Sequence, residues 1–130
     1  MNVYHLYNKV PSVNLLLNYH NVHILGLSET KLDDKISDSC ISINNYTIIR
    51  RDKQLAKHTG LAAYVHDSIY ANIKIRHDLE HREIEALWLE IKKEKSIPTL
   101  ICFIYRNPIE TVEWQDHFHS LNNRIPYDKY

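Results

Sequence analysis

The sequence predicts an α/β (α+β) fold, in which strands form the centre and helices lie near both ends of the chain. Two apolar runs, residues 22–27 and 99–105, have the length of buried strands, and each stops abruptly at polar residues. Residues 13–20 instead place apolar side chains three and four positions apart, which is the spacing of one helix face. At residues 73–76 apolar and basic side chains alternate, which is typical of a strand with one solvated face.

The first half of the chain divides into one helix, two strands and a long connection. The helix is predicted over residues 11–18, with Asn8 as its cap and Pro11 in the opening turn. The first apolar strand follows it directly. Residues 31–45 are polar and predict a loop anchored by three isoleucines, and residues 46–50 predict a short strand.

The second half reads as further strands and a closing helix. Residues 61–66 and 69–75 predict a hairpin that turns around His66, and residues 84–92 predict another strand. The second apolar run, deeply buried by its composition, follows a short turn. A helix is predicted over residues 114–121, with Thr111 as its cap.

Composition fits one soluble domain. The chain has 130 residues, and its 16 basic and 16 acidic side chains cancel, so no overall field attracts nucleic acid as it would in a dedicated DNA-binding module. The short basic cluster at residues 50–53 is interpreted as a solvated strand end rather than a phosphate track. Two cysteines are too few for a disulfide framework, which favours an intracellular protein. No apolar run approaches the roughly 18–20 residues of a membrane span, so no membrane partner is expected.

Six short motifs occur along the chain in a characteristic order. They are Asn2, SETKLDD at residues 28–34, NYTIIRRD at 45–52, GLAAYVHDSI at 60–69, IEALWLEI at 84–91 and FIYRNP at 103–108. This succession, over residues 2–121, resembles the endonuclease domain of non-LTR retrotransposons, a branch of the endonuclease/exonuclease/phosphatase superfamily. No single motif is decisive, but six in this order are fairly specific.

The resemblance implies a fold and a site. The fold would be half of a four-layer α/β sandwich of the DNase I-like type, with mostly antiparallel or mixed sheets and flanking helices. Glu29 would be the metal ligand for Mg²⁺ or Mn²⁺, and Asn2 would lie beside the metal and orient its acidic ligands. Tyr105 would contact the scissile phosphate of DNA through its hydroxyl, and Arg106 would add positive charge there.

Each of these residues also has a purely structural interpretation. Without the resemblance, Glu29 is an exposed carboxylate at a strand end and Tyr105 an aromatic strand end with a wet hydroxyl. Asn2 follows the initiating methionine, and a frayed terminus is expected there.

The rest of the family's site does not occur in these residues. The sequence contains no GDxN and no SDH motif, and in the family these hold the attacking water and the phosphoryl oxygens. We therefore expect residues 1–130 to be one partial domain that lacks the family's first core strand and its C-terminal half and is inactive by itself. In the full-length product it would be fused to a reverse transcriptase and act inside the cell, in the nucleus, in target-site nicking.

Three functions stay open at this point. The first is a fragment of a magnesium-dependent endonuclease that hydrolyses DNA phosphodiesters. The second is a non-catalytic remnant or binding module with the same half-fold. The third is a phosphatase-like member of the superfamily that acts on a small phosphoester.

Overall fold

The computed structural model describes residues 1–107 and 112–123, as a mixed α/β fold with two antiparallel three-stranded sheets. The predicted α/β class is confirmed at this level. The chain divides into two compact units, Met1–Ala71 and Asn72–Tyr130. None of the helices within the described ranges has the length and hydropathy needed to cross a bilayer.

The first unit is built around a buried central strand. Its strands are β1 (Ile24–Ser28), β2 (Tyr46–Arg51) and β3 (Leu61–His66), in the order β1-β3-β2. The first five residues of β3 are buried, since it pairs antiparallel with β1 on one side and with β2 on the other. One core cluster joins this sheet to the segment before it and to the loop between β1 and β2; its buried members are Val3, Leu6, Val13, Leu17, Leu27, Leu32, Ile41, Ile43 and Tyr64.

The predicted first helix exists, but its cap does not. Helix α1 spans Val10–His20, and Pro11 lies in its first turn, where a missing N–H breaks no intrahelical bond. The N-cap is Lys9, which makes no side-chain cap hydrogen bond. Asn8 was therefore the wrong cap; it belongs to a short 3-10 helix, Leu6–Asn8, that precedes α1.

The predicted hairpin around His66 is wrong. After β3 the chain enters a short helix, α2 (Asp67–Tyr70), whose first turn is capped by His66 accepting a hydrogen bond from the Ser68 N–H. The next strand, β4 (Ile73–Ile75), pairs with β5 in the other sheet. Because β1 and β2 already occupy both edges of β3, no edge was left for a hairpin partner.

The second unit is a simple meander. Strands β4, β5 (Glu85–Ile91) and β6 (Thr99–Tyr105) pair antiparallel in chain order, and helix α3 spans Val112–Asn122. Its core joins both kinds of element, with Trp88 of β5 and Leu121 of α3 in one buried cluster. Thr111, the predicted cap of this helix, lies outside the described residues.

The predicted bounds of β6 are confirmed, but its deep burial is not. Its residues are mostly half-buried, and the Ile104 side chain is 41% exposed. The reason is its place at the end of the strand order β4-β5-β6 in the part of the chain that the structure describes. An apolar run is therefore compatible with an edge strand as well as a central one.

Candidate functional site

The N-terminal residues run parallel to the end of β1. Asn2 forms a parallel bridge with Ser28, the last residue of the strand. The Ser28 N–H donates to the Met1 carbonyl over 2.8 Å, and the Val3 N–H donates to the Ser28 carbonyl over 3.0 Å. Val3 is 3% exposed and anchors this segment in the core. The expected fraying of Asn2 is therefore wrong, because hydrogen bonds and burial hold the terminus beside the strand.

The residues after β1 are held from two sides. On one side, the His5 N–H donates to the Glu29 carbonyl and the Leu6 N–H to the Thr30 carbonyl, each over 3.0 Å. On the other side, the Thr30 and Lys31 N–H groups donate to the backbone just before β3, at residues 59–60, over 3.3 and 2.9 Å. Backbone hydrogen bonds thus fix the position from which Glu29 extends its carboxylate.

The backbone around Glu29 adopts conformations that non-glycine residues rarely take. Glu29 and Lys31 both have φ of 55°, and the facing residues Tyr4 and His5 have φ of 41° and 70°. Each left-handed non-glycine residue costs about 1–2 kcal/mol. Such conformations persist only where the surroundings impose them, and the bonds just described supply that constraint.

A close backbone approach explains Gly60. This residue has φ of 93°, and a Cβ added to it would lie 2.4 Å from Thr30 Oγ1. Thr30 is 1% exposed, and its buried hydroxyl oxygen has no hydrogen-bond partner among the residues that the structure describes. Only glycine lets the connection before β3 pass close enough to bond the strand end.

The donor set at this strand end fits a hard cation. Asn2 Oδ1 accepts a 3.2 Å hydrogen bond from the Tyr4 N–H, which turns the amide back onto its own segment. Glu29, half-buried, supplies the carboxylate. Within residues 1–107 and 112–123 no group of three His, Cys, Asp or Glu side chains is placed to hold a metal ion. Mg²⁺ keeps several waters and takes one or two protein oxygens, so a magnesium site does not require such a three-residue group.

Arg50 closes the loop that follows the strand end. Its guanidinium donates to the carbonyls of Ile36 and Asp33 over 2.6 and 3.0 Å, and to the carboxylates of Asp52 and Asp38 over 2.7 and 3.0 Å. The Asp52 hydrogen bond raises the pKa of Arg50, against the opposing effect of burial. The side chain is only 16% exposed, so the interpretation of this cluster as a solvated strand end is wrong for Arg50.

In the second unit, Tyr105 and Arg106 stand at the exit of β6. Tyr105 is the last strand residue, half-buried, and lies opposite Glu85 in the β5–β6 register. Arg106 is exposed, and its guanidinium carbon sits 5.1 Å from the centre of the Trp114 ring, a distance typical of a cation–π contact.

Glu85 is a candidate site residue that the sequence did not predict. It is 5% exposed, and the register places it directly beside Tyr105. Residues opposite each other on an antiparallel pair lie about 5 Å apart at Cβ, within reach of each other's side chains. The signal available in the sequence was an acidic residue at the start of an apolar strand.

The structure therefore brings the predicted site residues together in two pairs. In the first unit, Asn2 lies beside Ser28, the residue before Glu29, and in the second unit Tyr105 and Arg106 follow one another. No protein-family model, curated protein or solved structure matches the chain.

Proposed function

We propose that the chain is part of a magnesium-dependent phosphodiesterase domain that cuts DNA, of the endonuclease type carried by non-LTR retrotransposons. The observation that supports this most directly is the bridge between Asn2 and Ser28. These residues are far apart in sequence, and the resemblance requires the asparagine and the acidic ligand to share one site. A frayed terminus would have left them apart.

Each residue has a task in this proposal. The Glu29 carboxylate binds the cation, and the Asn2 amide orients the ligands around it. The cation, Mg²⁺ or Mn²⁺, supplies positive charge at the phosphate. In the second unit, taken by itself, the Tyr105 hydroxyl donates a hydrogen bond to a phosphate of DNA, and Arg106, which contacts the Trp114 ring, adds a guanidinium that can pair with phosphate.

The proposal assigns metal and DNA binding to these residues and does not assign turnover to them alone. GDxN and SDH motifs, which hold the attacking water in the family, do not occur in the sequence. Target-site nicking, fusion to a reverse transcriptase and action in the nucleus belong to the same proposal at the level of the full-length product.

Paramagnetic broadening by Mn²⁺ tests the metal site without requiring activity. In the amide spectrum of the chain, substoichiometric Mn²⁺ should broaden residues 2 and 28–31 before any other group. Glu29→Gln, which keeps the shape and removes the charge, should abolish this broadening. Glu94→Gln, a matched loss of one exposed carboxylate in the turn between β5 and β6, should leave it unchanged.

The outcomes separate the open functions. Broadening elsewhere, or broadening that survives Glu29→Gln, overturns the metal role and leaves the non-catalytic binding module. Nicking of supercoiled plasmid in Mg²⁺ that Glu29→Gln abolishes would extend the proposal from metal binding to turnover. Hydrolysis of a small phosphoester with no effect on plasmid would favour the phosphatase-like alternative.

A further inference from the structure

An exposed aromatic pair lies directly beside Glu29. The Tyr4 side chain is 64% exposed, and its ring meets the His5 ring edge to face, with centroids 5.0 Å apart. Tyr7, in the next turn, is 55% exposed. The neighbours Val3 and Leu6 occupy the core at 3% and 0% exposure, which leaves the aromatic residues on the surface. The His5 N–H bonds the Glu29 carbonyl, so this surface has a fixed place relative to the strand end.

Exposed lysines flank this aromatic surface. All 16 acidic residues of the chain follow Ser28, so Glu29 is the first of them. The preceding segment carries Lys9, exposed one residue before α1, and Lys31 is exposed just after the strand end. The next acidic residues along the chain, Asp33 and Asp34, belong to the loop that Arg50 closes. The 3-10 helix Asp38–Ile41 packs against residues 6–8, and its acidic residue, Asp38, is paired with Arg50 over 3.0 Å. Exposed aromatic rings beside exposed lysines suit a polyanion that carries flat bases.

We propose that Tyr4, His5 and Tyr7 form a stacking platform for the bases of single-stranded DNA, next to the phosphate held at Glu29. Base stacking on exposed aromatic rings is tolerant of sequence, and basic side chains follow the phosphates. The inference rests on the proposed function and sharpens its substrate: DNA that is unpaired beside the cleaved bond. Three aromatic residues interrupted by core residues make a discontinuous patch, which suits separate bases better than a flat protein interface.

Binding measured without metal tests the platform. Fluorescence anisotropy of a short labelled single strand, in EDTA and low salt, should show tighter binding than the matching duplex. Tyr4→Leu and Tyr7→Leu should each weaken binding of the single strand about fivefold or more, the loss typical of one stacked base. Tyr4→Phe, which keeps an aromatic ring, should bind the single strand as tightly as the unaltered chain. Tyr19→Leu, on α1 and 83% exposed, is the matched control and should bind like the unaltered chain.

Three results would overturn the platform. They are no single-strand binding by the unaltered chain, equal losses in the Tyr4 and Tyr19 variants, or no preference over duplex. An unchanged amide spectrum in each variant establishes that a loss is not unfolding. Repeating the titration in Glu29→Gln separates the two proposals: stacking that survives there stands even if the metal role fails, and metal broadening stands even if stacking fails.

Discussion

The two units differ in where their backbones depart from ordinary geometry. Seven non-glycine residues of the described chain have positive φ, and only one of them, Lys95, lies in the second unit, in the turn between β5 and β6. The other six are Tyr4, His5, Asn21, Glu29, Lys31 and Asn45. Asparagine tolerates this conformation, so the unusual members are the four around the end of β1.

This contrast indicates that the first unit, and not the second, holds distant segments of the chain together at one place. A meander such as β4-β5-β6 needs only turns between neighbouring strands. The first unit instead brings three separate segments, residues 1–6, 29–31 and 59–60, into backbone contact. Strain of this kind clusters at functional sites, which supports a site at Glu29. Substitutions in the two units can test how much stability these contacts provide.

Gly60→Ala should have the largest effect. The added Cβ would meet Thr30 Oγ1 at 2.4 Å, and φ of 93° disfavours any side chain. Overpacking and backbone strain together should lower the free energy of unfolding by about 4 kcal/mol. Urea denaturation followed by circular dichroism measures the loss.

A double-mutant cycle identifies the cause. Thr30→Ala removes the hydroxyl that the new methyl group meets, so Gly60→Ala should cost only about 2 kcal/mol in that background, the share owed to φ. If Gly60→Ala costs the same in both backgrounds, the close approach to Thr30 is not what requires glycine here.

Two half-buried arginines, one in each unit, extend the comparison to smaller effects. Arg50 of the first unit bonds two backbone carbonyls of the loop as well as Asp38 and Asp52. Arg76 of the second unit pairs with the exposed Asp78, whose pKa it lowers to about 2, and with Glu90 at 3.6 Å. Arg50→Ala should cost about 2–3 kcal/mol because it removes the donor of the part-buried Ile36 carbonyl together with its other bonds to the loop, whereas Arg76→Ala should cost about 1 kcal/mol.

Arg50→Lys is the control for geometry. It keeps the charge but replaces the planar fork by one ammonium, so it should recover less than half of the loss in urea denaturation. Equal losses for Arg50→Ala and Arg76→Ala would mean that the loop does not depend on this clamp.

Local patterns in the sequence were enough to predict most of the elements. The apolar run that ends at Tyr105 matched β6 at both bounds, and Pro11 marked the first turn of α1. The wrong prediction of a hairpin concerned which strands pair with one another. Nothing within residues 61–75 indicates that β3 has neighbours on both sides, and that occupancy is what excludes the hairpin.

In the candidate site, too, local features could be predicted from the sequence and contacts between distant segments could not. Glu29 was predicted as a site residue because the resemblance assigns it that role and because it follows an apolar strand, and both signals are local in the sequence. The place of Asn2 beside Ser28 and the clamp of Arg50 on Ile36 depend on contacts between distant segments. A basic pair followed by an acid looks the same in sequence whether it faces water or closes a loop, so the role of Arg50 required the structure.

The central strands of the two sheets provide the smallest and most specific test. Tyr64 in β3 is fully buried and donates its hydroxyl to the Ile41 carbonyl. Burial raises its pKa to about 12, helped by the charge of Asp38. Trp88, in the central strand of the other sheet, is 5% exposed and carries no group that titrates. Alkaline pH should therefore destabilise the first unit by favouring ionisation of the Tyr64 hydroxyl.

The sign follows from the direction of the shift. An unfolded tyrosine titrates near pH 10, so the stabilisation is complete below that pH and is lost as pH rises through about 12. At about pH 11 the loss should be about 1.4 kcal/mol relative to about pH 9. Tyr64→Phe should be less stable at neutral pH, since the hydrogen bond is gone, but its urea midpoint should fall less between these two pH values. Tyr19→Phe should keep the full alkaline loss, because that ring is 83% exposed; parallel curves for Tyr64→Phe and the unaltered chain would place the alkaline sensitivity elsewhere.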